Sequence, residues 1–176
     1  PRTTLAQSMD VLSSQATCAG YRAVIMAAEE LPKLCPMLMT AAGRIDPARF
    51  VILGAGVAGL IAIGIAKRLG AVVEAYDVRS VVKEQVESLG ASFIDVGEAT
   101  DAQSAGGYAK EISAEQQARI NTKIADHLAK ADVCITTALI PGRPAPKLIT
   151  AEMAQRMRAG VAHRRFQRVV GDDAQD

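Results

Sequence analysis

Apolar residues recur at three- and four-residue steps over residues 6–31, which is the spacing of one face of an α-helix. Pro32 follows directly and cannot continue a helix. The pattern therefore predicts a long helix that ends before this proline. In residues 36–48, methionine and leucine precede Gly43 and Pro47, which predicts a packed connector whose methionines lie in the core.

From Phe50 onward, short apolar runs alternate with segments of helical spacing, whereas residues 97–110 have neither spacing and predict a loop. Strands and helices are predicted in turn over residues 50–53, 57–69, 72–77, 82–89, 93–96, 113–130, 132–137 and 150–158. Ser113 and Thr150 are expected to cap the last two helices. We therefore expect an α/β fold, a Rossmann-type doubly wound parallel sheet preceded by a long helix from a truncated second domain.

Three glycines mark the turn between the first strand of this sheet and its helix. Gly54 permits a tight turn, Gly56 lets the backbone approach a pyrophosphate, and Gly59 lets the helix pack closely on the sheet. Val57 and Ala58 belong to the first helical turn, whose backbone N–H groups attract an anion. The pattern therefore predicts a dinucleotide site.

Asp77 closes the second strand, where an acidic side chain can accept hydrogen bonds from the hydroxyls of an adenosine ribose. The same carboxylate would repel a 2′-phosphate by on the order of 4 kcal/mol per charge pair at ~4 Å and an effective dielectric constant near 20. The sequence therefore predicts NAD(H) rather than NADP(H). Val78 and Arg79 follow closely enough to contact the adenosine end, although a surface salt bridge is an equal alternative for Arg79.

These observations divide the chain into three expected parts. Residues 1–40 are a helix and connector from a neighbouring domain, residues 41–160 are the dinucleotide-binding sheet, and residues 161–176 are an atypical basic tail. The arginines of the tail could bind an anion, but its composition favours a solvated, disordered segment; they are Arg164, Arg165 and Arg168.

Composition excludes several other kinds of site. A net charge of +1, three Phe, three Tyr and no Trp argue against a nucleic-acid surface. The three cysteines have no paired metal-ligand spacing, so we predict no metal and a reducing compartment. The two histidines do not indicate a nucleophilic Ser/His/Asp or Cys/His array, because His127 lies within a helical pattern and His163 lies in the tail.

Longer segments accompany the glycine pattern, namely Arg2-x4-Gln7-x2-Asp10 and residues 36–43, 66–74, 83–91, 106–111 and 136–146. Together they resemble the NAD(H)-binding component of proton-translocating nicotinamide nucleotide transhydrogenase, over residues 2–160. This resemblance implies hydride transfer between NAD(H) on this component and NADP(H) on a separate component. Such a transfer needs no protein nucleophile or general base, because the cofactors hold the reacting atoms.

The resemblance also implies which residues position the nicotinamide. Arg2, Gln7 and Asp10 match the family's loop on that side of NAD, with Ser13 as a polar neighbour. A helix that extended to Gln7 would place Gln7, Asp10 and Ser13 on nearly one face. From the residues alone, the start of a helix with Asp10 near its first turn is favoured.

Two further segments match loops of the family. Gly107 and Tyr108 match the tip of a mobile loop that folds over bound nucleotide, although the residues alone indicate only a flexible loop. Ala138 and Leu139 match the loop after the fourth strand, where backbone approaches the nicotinamide half of NAD.

The resemblance further implies a homodimer, an NADP(H)-binding component and a membrane component that carries protons. It places the chain on the cytoplasmic face of a bacterial inner membrane or on the matrix face of the mitochondrial inner membrane. We expect that upstream sequence is missing, and the match ends after Gly160. An alanine dehydrogenase of the same superfamily and a non-catalytic NAD-binding module are the alternatives; the former would need an acid–base group that the sequence does not reveal.

Overall fold

A computed structural model describes residues 9–97, 114–138 and 148–157 of the chain. Its α-helices are α1 (Val11–Glu30), α2 (Val57–Arg68), α3 (Lys83–Ser88), α4 (Ala114–Leu128) and α5 (Ala151–Gln155), and a short 3₁₀ helix, Ser80–Val82, precedes α3. Its strands are β1 (Leu38–Thr40), β2 (Gly43–Ile45), β3 (Arg49–Leu53), β4 (Val72–Tyr76), β5 (Ser92–Phe93) and β6 (Val133–Thr136).

Strands β3 to β6 form a parallel sheet in the order β5-β4-β3-β6. Phe50 and Ile52 pack with α2 and α3 on one face, and Val51 and Leu53 pack with α4 on the other. The predicted doubly wound α/β fold is therefore confirmed. The strand order reverses between β3 and β6, and parallel sheets bind ligands outside the carboxyl ends of their strands at such a point.

Helix α1 begins later than the sequence pattern predicts. Asp10 is its N-cap and Val11 its first residue, so the prediction of a start near residue 6 is wrong. The reason is local, because the Asp10 carboxylate accepts the backbone N–H of Ser13 at 3.2 Å and so satisfies the first helical turn. The helix ends at Glu30, as Pro32 predicts.

Helix α1 packs on the same side of the sheet as α2. Ala23 and Val24 share one core cluster with Phe50 and Ile52. At Gly20 the two helices meet so closely that a Cβ atom would lie 2.2 Å from the Ala58 carbonyl oxygen. Helix α1 is thus fitted against the first turn of α2, while the predicted domain boundary at residue 40 stays a prediction.

The packed connector expected over residues 36–48 is instead an antiparallel hairpin of β1 and β2. Met37 is 53% exposed and Met39 72% exposed, so the prediction that the methionines lie in the core is wrong. The apolar composition of this segment suggested burial, but each strand has only three residues and all of them are exposed. An isolated two-stranded hairpin has no second layer against which to bury a face.

The remaining elements occur in the predicted order and most have shorter bounds, although β3 and β5 each begin one residue earlier than predicted, at Arg49 and Ser92. Strand β5 has two residues, and α4, β6 and α5 end one to three residues early. Thr150 caps α5 as predicted, since its hydroxyl accepts the Met153 N–H at 3.2 Å. The predicted cap Ser113 and all but the first residue of the predicted loop 97–110 lie outside the described residues.

A buried carboxylate ties the amino ends of β3 and β6 together. Asp132, just before β6, is 7% exposed. It accepts the Arg49 backbone N–H at 2.8 Å and the Lys33 ammonium at 2.9 Å. These partners satisfy the charge that burial would otherwise penalise.

The hydroxyl of Tyr76, at the end of β4, is buried and has no hydrogen-bond partner within the part of the chain that the structure describes. We expect Tyr76→Phe to raise the free energy of unfolding by about 1 kcal/mol, because a buried unpaired hydroxyl is costly. Urea unfolding at pH 7 measures this difference. Tyr21→Phe is the control, since Tyr21 is 50% exposed and should give no change.

The same residue should make stability sensitive to alkaline pH. Burial, and then the charge of Asp77, raises the pKa of Tyr76 to about 12. Because an unfolded tyrosine ionises near pH 10 and the folded one near pH 12, this group does not change the free energy of unfolding below pH 10 and lowers it as the pH rises from about 10 towards 12. Tyr76→Phe should therefore flatten the decline between these values. An equally steep decline, or a less stable variant at pH 7, would contradict the prediction.

Candidate dinucleotide-binding site

The turn after β3 is held to both neighbouring strands. Gly54 has φ +103°, a conformation that residues with a side chain rarely adopt. Its N–H donates to the Tyr76 carbonyl at 2.8 Å, and its carbonyl accepts the Thr137 hydroxyl at 2.9 Å. The turn therefore sits at the point where the strand order reverses, bonded to β4 on one side and to the residue after β6 on the other.

The other two glycines of the pattern have opposite surroundings. A Cβ atom on Gly59 would lie 1.9 Å from the Gly54 carbonyl oxygen, so α2 packs directly on the turn. A Cβ atom on Gly56 would meet no atom of the described residues within 4 Å. Gly56 is also the N-cap of α2, and no side chain in the described part of the chain caps that helix. The open space at Gly56 therefore faces uncapped N–H groups, which is the arrangement that a pyrophosphate requires.

Asp77 lies beside this turn, immediately after β4. Its Oδ2 accepts the Ala55 backbone N–H at 2.7 Å and Arg79 Nη2 at 3.0 Å, while Oδ1 accepts the Arg79 backbone N–H and Nε, both at 2.9 Å. Burial alone would raise the pKa of Asp77, but the hydrogen bonds from Arg79 and Ala55 outweigh it and lower the pKa. Asp77 is therefore an ionised, oriented carboxylate at the crevice.

Arg79 forms a salt bridge with Asp77, which is the alternative considered above, but the pair is not at an exposed surface position. Its side chain is 18% exposed and that of Asp77 is 7% exposed. Hydrogen bonding to Asp77 raises the pKa of Arg79, despite partial burial. The pair is thus largely buried, and contact between Arg79 or Val78 and a nucleotide stays a prediction.

Asp10 and Ser13 lie at the start of α1, where the Asp10 carboxylate accepts the Ser13 hydroxyl at 2.7 Å and its N–H at 3.2 Å. Hydrogen bonds from the Ser13 side chain and backbone lower the pKa of Asp10. Because the helix begins at Val11, the condition for a shared helical face with Gln7 is not met. Asp10 is a helix cap in this geometry, as the residues alone favoured.

Several predicted site residues lie outside the described residues, namely Arg2, Gln7, Gly107, Tyr108 and Leu139. Ala138 is described, and its backbone nitrogen would be 3.0 Å from a Cβ atom on Gly54. Residues after β6 thus line the crevice beside the glycine turn. Roles for all six in nucleotide binding stay predictions.

Sequence reasoning missed two residues that shape this site. Thr137 holds the Gly54 carbonyl from across the sheet, and Gly20 lets α1 approach Ala58. A polar residue at the carboxyl end of a strand was a signal for Thr137. The isolated glycine within a helical pattern was the signal for Gly20.

The described residues contain no group of three or more His, Cys, Asp or Glu side chains that could hold a metal ion. None of the helices in those ranges is long and apolar enough to cross a membrane. What the arrangement offers is backbone N–H groups, one oriented carboxylate and a tight turn. It can bind and orient a phosphate-bearing ligand.

Comparison with known proteins places the chain in a family. Residues 23–162 match the family model described as "Alanine dehydrogenase/PNT, C-terminal domain". The first segment of the NAD(P) transhydrogenase alpha subunit of Rhodospirillum rubrum is 56% identical over 162 residues, covering 91% of this chain and 42% of that protein. The chain thus spans about two fifths of the length of this relative.

Solved structures agree with this placement. The transhydrogenase from Sinorhizobium meliloti is 55% identical with a TM-score of 0.79, over 92% of this chain and 42% of that one. An L-alanine dehydrogenase is 26% identical with a TM-score of 0.62, over 85% of this chain and 37% of that one. The chain is more similar to the transhydrogenase alpha subunit and the solved transhydrogenase than to the alanine dehydrogenase. It therefore belongs to the alanine dehydrogenase/PNT family and contains the C-terminal domain that defines this family model.

Proposed function

We propose that this chain is the NAD(H)-binding component of a transhydrogenase, which passes a hydride between NAD(H) and the NADP(H) of a separate component. In the complete complex this transfer is coupled to proton translocation. The observation that carries the proposal is the open space at Gly56, next to an uncapped helix and an ionised carboxylate at the sheet's switch point. Similarity to NAD(P) transhydrogenase alpha subunits supports it.

The described residues fit such a dinucleotide. The N–H groups of Val57 and Ala58 face the pyrophosphate at the positive end of α2. The Asp77 carboxylate binds the adenosine ribose and disfavours a 2′-phosphate. The nicotinamide, when bound, supplies the carbon that gives or takes the hydride. Asp10, Ser13 and Ala138 are proposed to orient that half, together with five residues proposed from the family resemblance, namely Arg2, Gln7, Gly107, Tyr108 and Leu139.

The partners proposed from the family are a second copy of this component, the NADP(H)-binding component and the proton-conducting membrane component. The proposed location is the cytoplasmic face of a bacterial inner membrane or the matrix face of the mitochondrial inner membrane. The relatives are named as subunits or as segments of subunits, which supports a complex of several chains.

The test is a hydride-transfer assay in which this chain is mixed with the NADP(H)-binding component of a transhydrogenase. We expect NADH to reduce an NADP+ analogue whose reduced form absorbs at its own wavelength. Binding of NADH without any transfer would instead indicate a non-catalytic module. Reduction of NAD+ by alanine would indicate an alanine dehydrogenase.

Replacement of Asp10 separates its role as a helix cap from its proposed role at the nicotinamide. Asp10→Ala removes both, whereas Asp10→Ser keeps a side-chain oxygen that caps the helix. We expect both variants to slow hydride transfer at least about tenfold, equivalent to ~1.4 kcal/mol in the barrier. Only the alanine variant should lose about 1 kcal/mol of stability.

Single-turnover kinetics and urea unfolding measure the two effects separately. Wild-type transfer rates in Asp10→Ser would show that Asp10 acts only as a cap. In that case the remaining contacts of the proposed site would have to hold the nicotinamide.

A further inference from the structure

The Asp77 carboxylate is saturated by protein donors. In the part of the chain that the structure describes, four N–H groups donate to its two oxygens, and two of them belong to the guanidinium of Arg79. An ionised carboxylate offers about four lone-pair positions. A ribose diol that binds both oxygens of Asp77 therefore has to displace a donor that is already in place.

The four donors differ in how readily they can leave. The Ala55 and Arg79 backbone N–H groups are fixed by the glycine turn and by the chain itself. The guanidinium sits at the end of a side chain with several rotatable bonds. Displacement therefore falls on the guanidinium.

We propose that Arg79 occupies the ribose subsite of the nucleotide-free chain and weakens its preference for NAD(H) over NADP(H). This inference rests on the proposed function. The ribose hydroxyls of NAD(H) replace the guanidinium as hydrogen-bond donors to Asp77. Because these hydroxyls are uncharged, the displaced guanidinium gains no new ion pair. A 2′-phosphate pairs with the released guanidinium through two parallel N–H···O bonds, so NADP(H) recovers much of what displacement costs.

Charge leads to the same conclusion. Asp77 alone would present one negative charge to a 2′-phosphate, but together with Arg79 it forms a pair of net charge zero. Since both side chains are largely buried, solvent screens this pair less than it screens a surface salt bridge. Arg79 therefore opposes the discrimination that Asp77 provides.

The test measures dissociation constants of NADH and NADPH for the 176-residue chain and for Arg79→Gln, by nucleotide fluorescence. We expect the variant to bind NADH about fivefold more tightly and NADPH about fivefold more weakly. The glutamine keeps a polar side chain and the backbone N–H to Asp77 while it removes the charge. Circular dichroism checks that the variant is folded.

Arg79→Lys is the matched variant, because it keeps the charge and loses the planar, two-pronged donor. It should bind NADH about twofold more tightly and leave NADPH binding within about twofold of wild type, and it carries the test alone if Arg79→Gln does not fold. NADH binding that is unchanged or weaker in the folded variants would overturn the inference and leave the proposed function intact. A wild-type chain that binds neither nucleotide would overturn both.

Discussion

Replacing Gly59 with alanine is expected to lower the free energy of unfolding by about 3 kcal/mol, at the upper end of what overpacking normally costs. The added Cβ atom would lie 1.9 Å from the Gly54 carbonyl oxygen and 2.8 Å from its carbonyl carbon. Both atoms are backbone, and the carbonyl is also held by the Thr137 hydroxyl. Relief therefore requires α2 to move away from β3. Urea unfolding followed by circular dichroism measures the loss.

Gly64→Ala is the control for this change, since it adds the same methyl group to the same helix. At Gly64 the single contact that the added Cβ atom would make with the described residues is to the Leu89 side chain, at 3.9 Å. Because alanine favours a helix over glycine by about 1 kcal/mol, this variant should be more stable than wild type. If Gly59→Ala were as stable as Gly64→Ala, the close packing of α2 on the turn would be refuted.

Replacing Gly56 with alanine is expected to leave the fold intact and weaken NADH binding about 100-fold, or ~2.8 kcal/mol. The backbone of Gly56 has φ −78°, which alanine adopts without strain, and within residues 9–97, 114–138 and 148–157 the added Cβ atom meets no atom within 4 Å. Loss of glycine at an N-cap costs less than about 1 kcal/mol. The methyl group would instead fill the space proposed for the pyrophosphate.

Gly56→Ala is compared with wild type in two measurements. NADH fluorescence titration gives the affinity, and urea unfolding without nucleotide gives the stability. If Gly56→Ala were stable and bound NADH as tightly as wild type, the proposal that the pyrophosphate occupies the space at Gly56 would be wrong. Loss of both properties together would show that the space is not open.

The sheet could be predicted because its strands and helices are encoded by local spacing. Residues 50–53 form a short continuous apolar run, and the glycine turn that follows makes this run typical of a strand buried on both faces. The hairpin of β1 and β2 lacks such signals. Its turn contains Ala41 and Ala42 rather than the Asn-Gly or Asp-Gly pairs that mark tight hairpins, and its one methionine, Met39, is exposed.

The site was predictable in its backbone and less so in its side-chain bonds. The place of Asp77 follows from strand length and from the turn, both of which the sequence indicates. Its saturation by Arg79 depends on which rotamer of a long side chain prevails, and spacing does not encode this. The cap at Asp10 shows the same limit, because one carboxylate can satisfy a helix end or a ligand, and a linear pattern does not decide between them.

The close approach of Gly20 to Ala58 limits which part of the chain can be moved into another protein without loss of packing. A protein engineer who grafted only the segment from β3 onward would leave the apolar side of α2 facing water, where α1 now covers it. The smallest portable piece thus starts no later than Asp10. A different helix in place of α1 would need a glycine at the position of Gly20. A side chain at that position would overlap the backbone of Ala58.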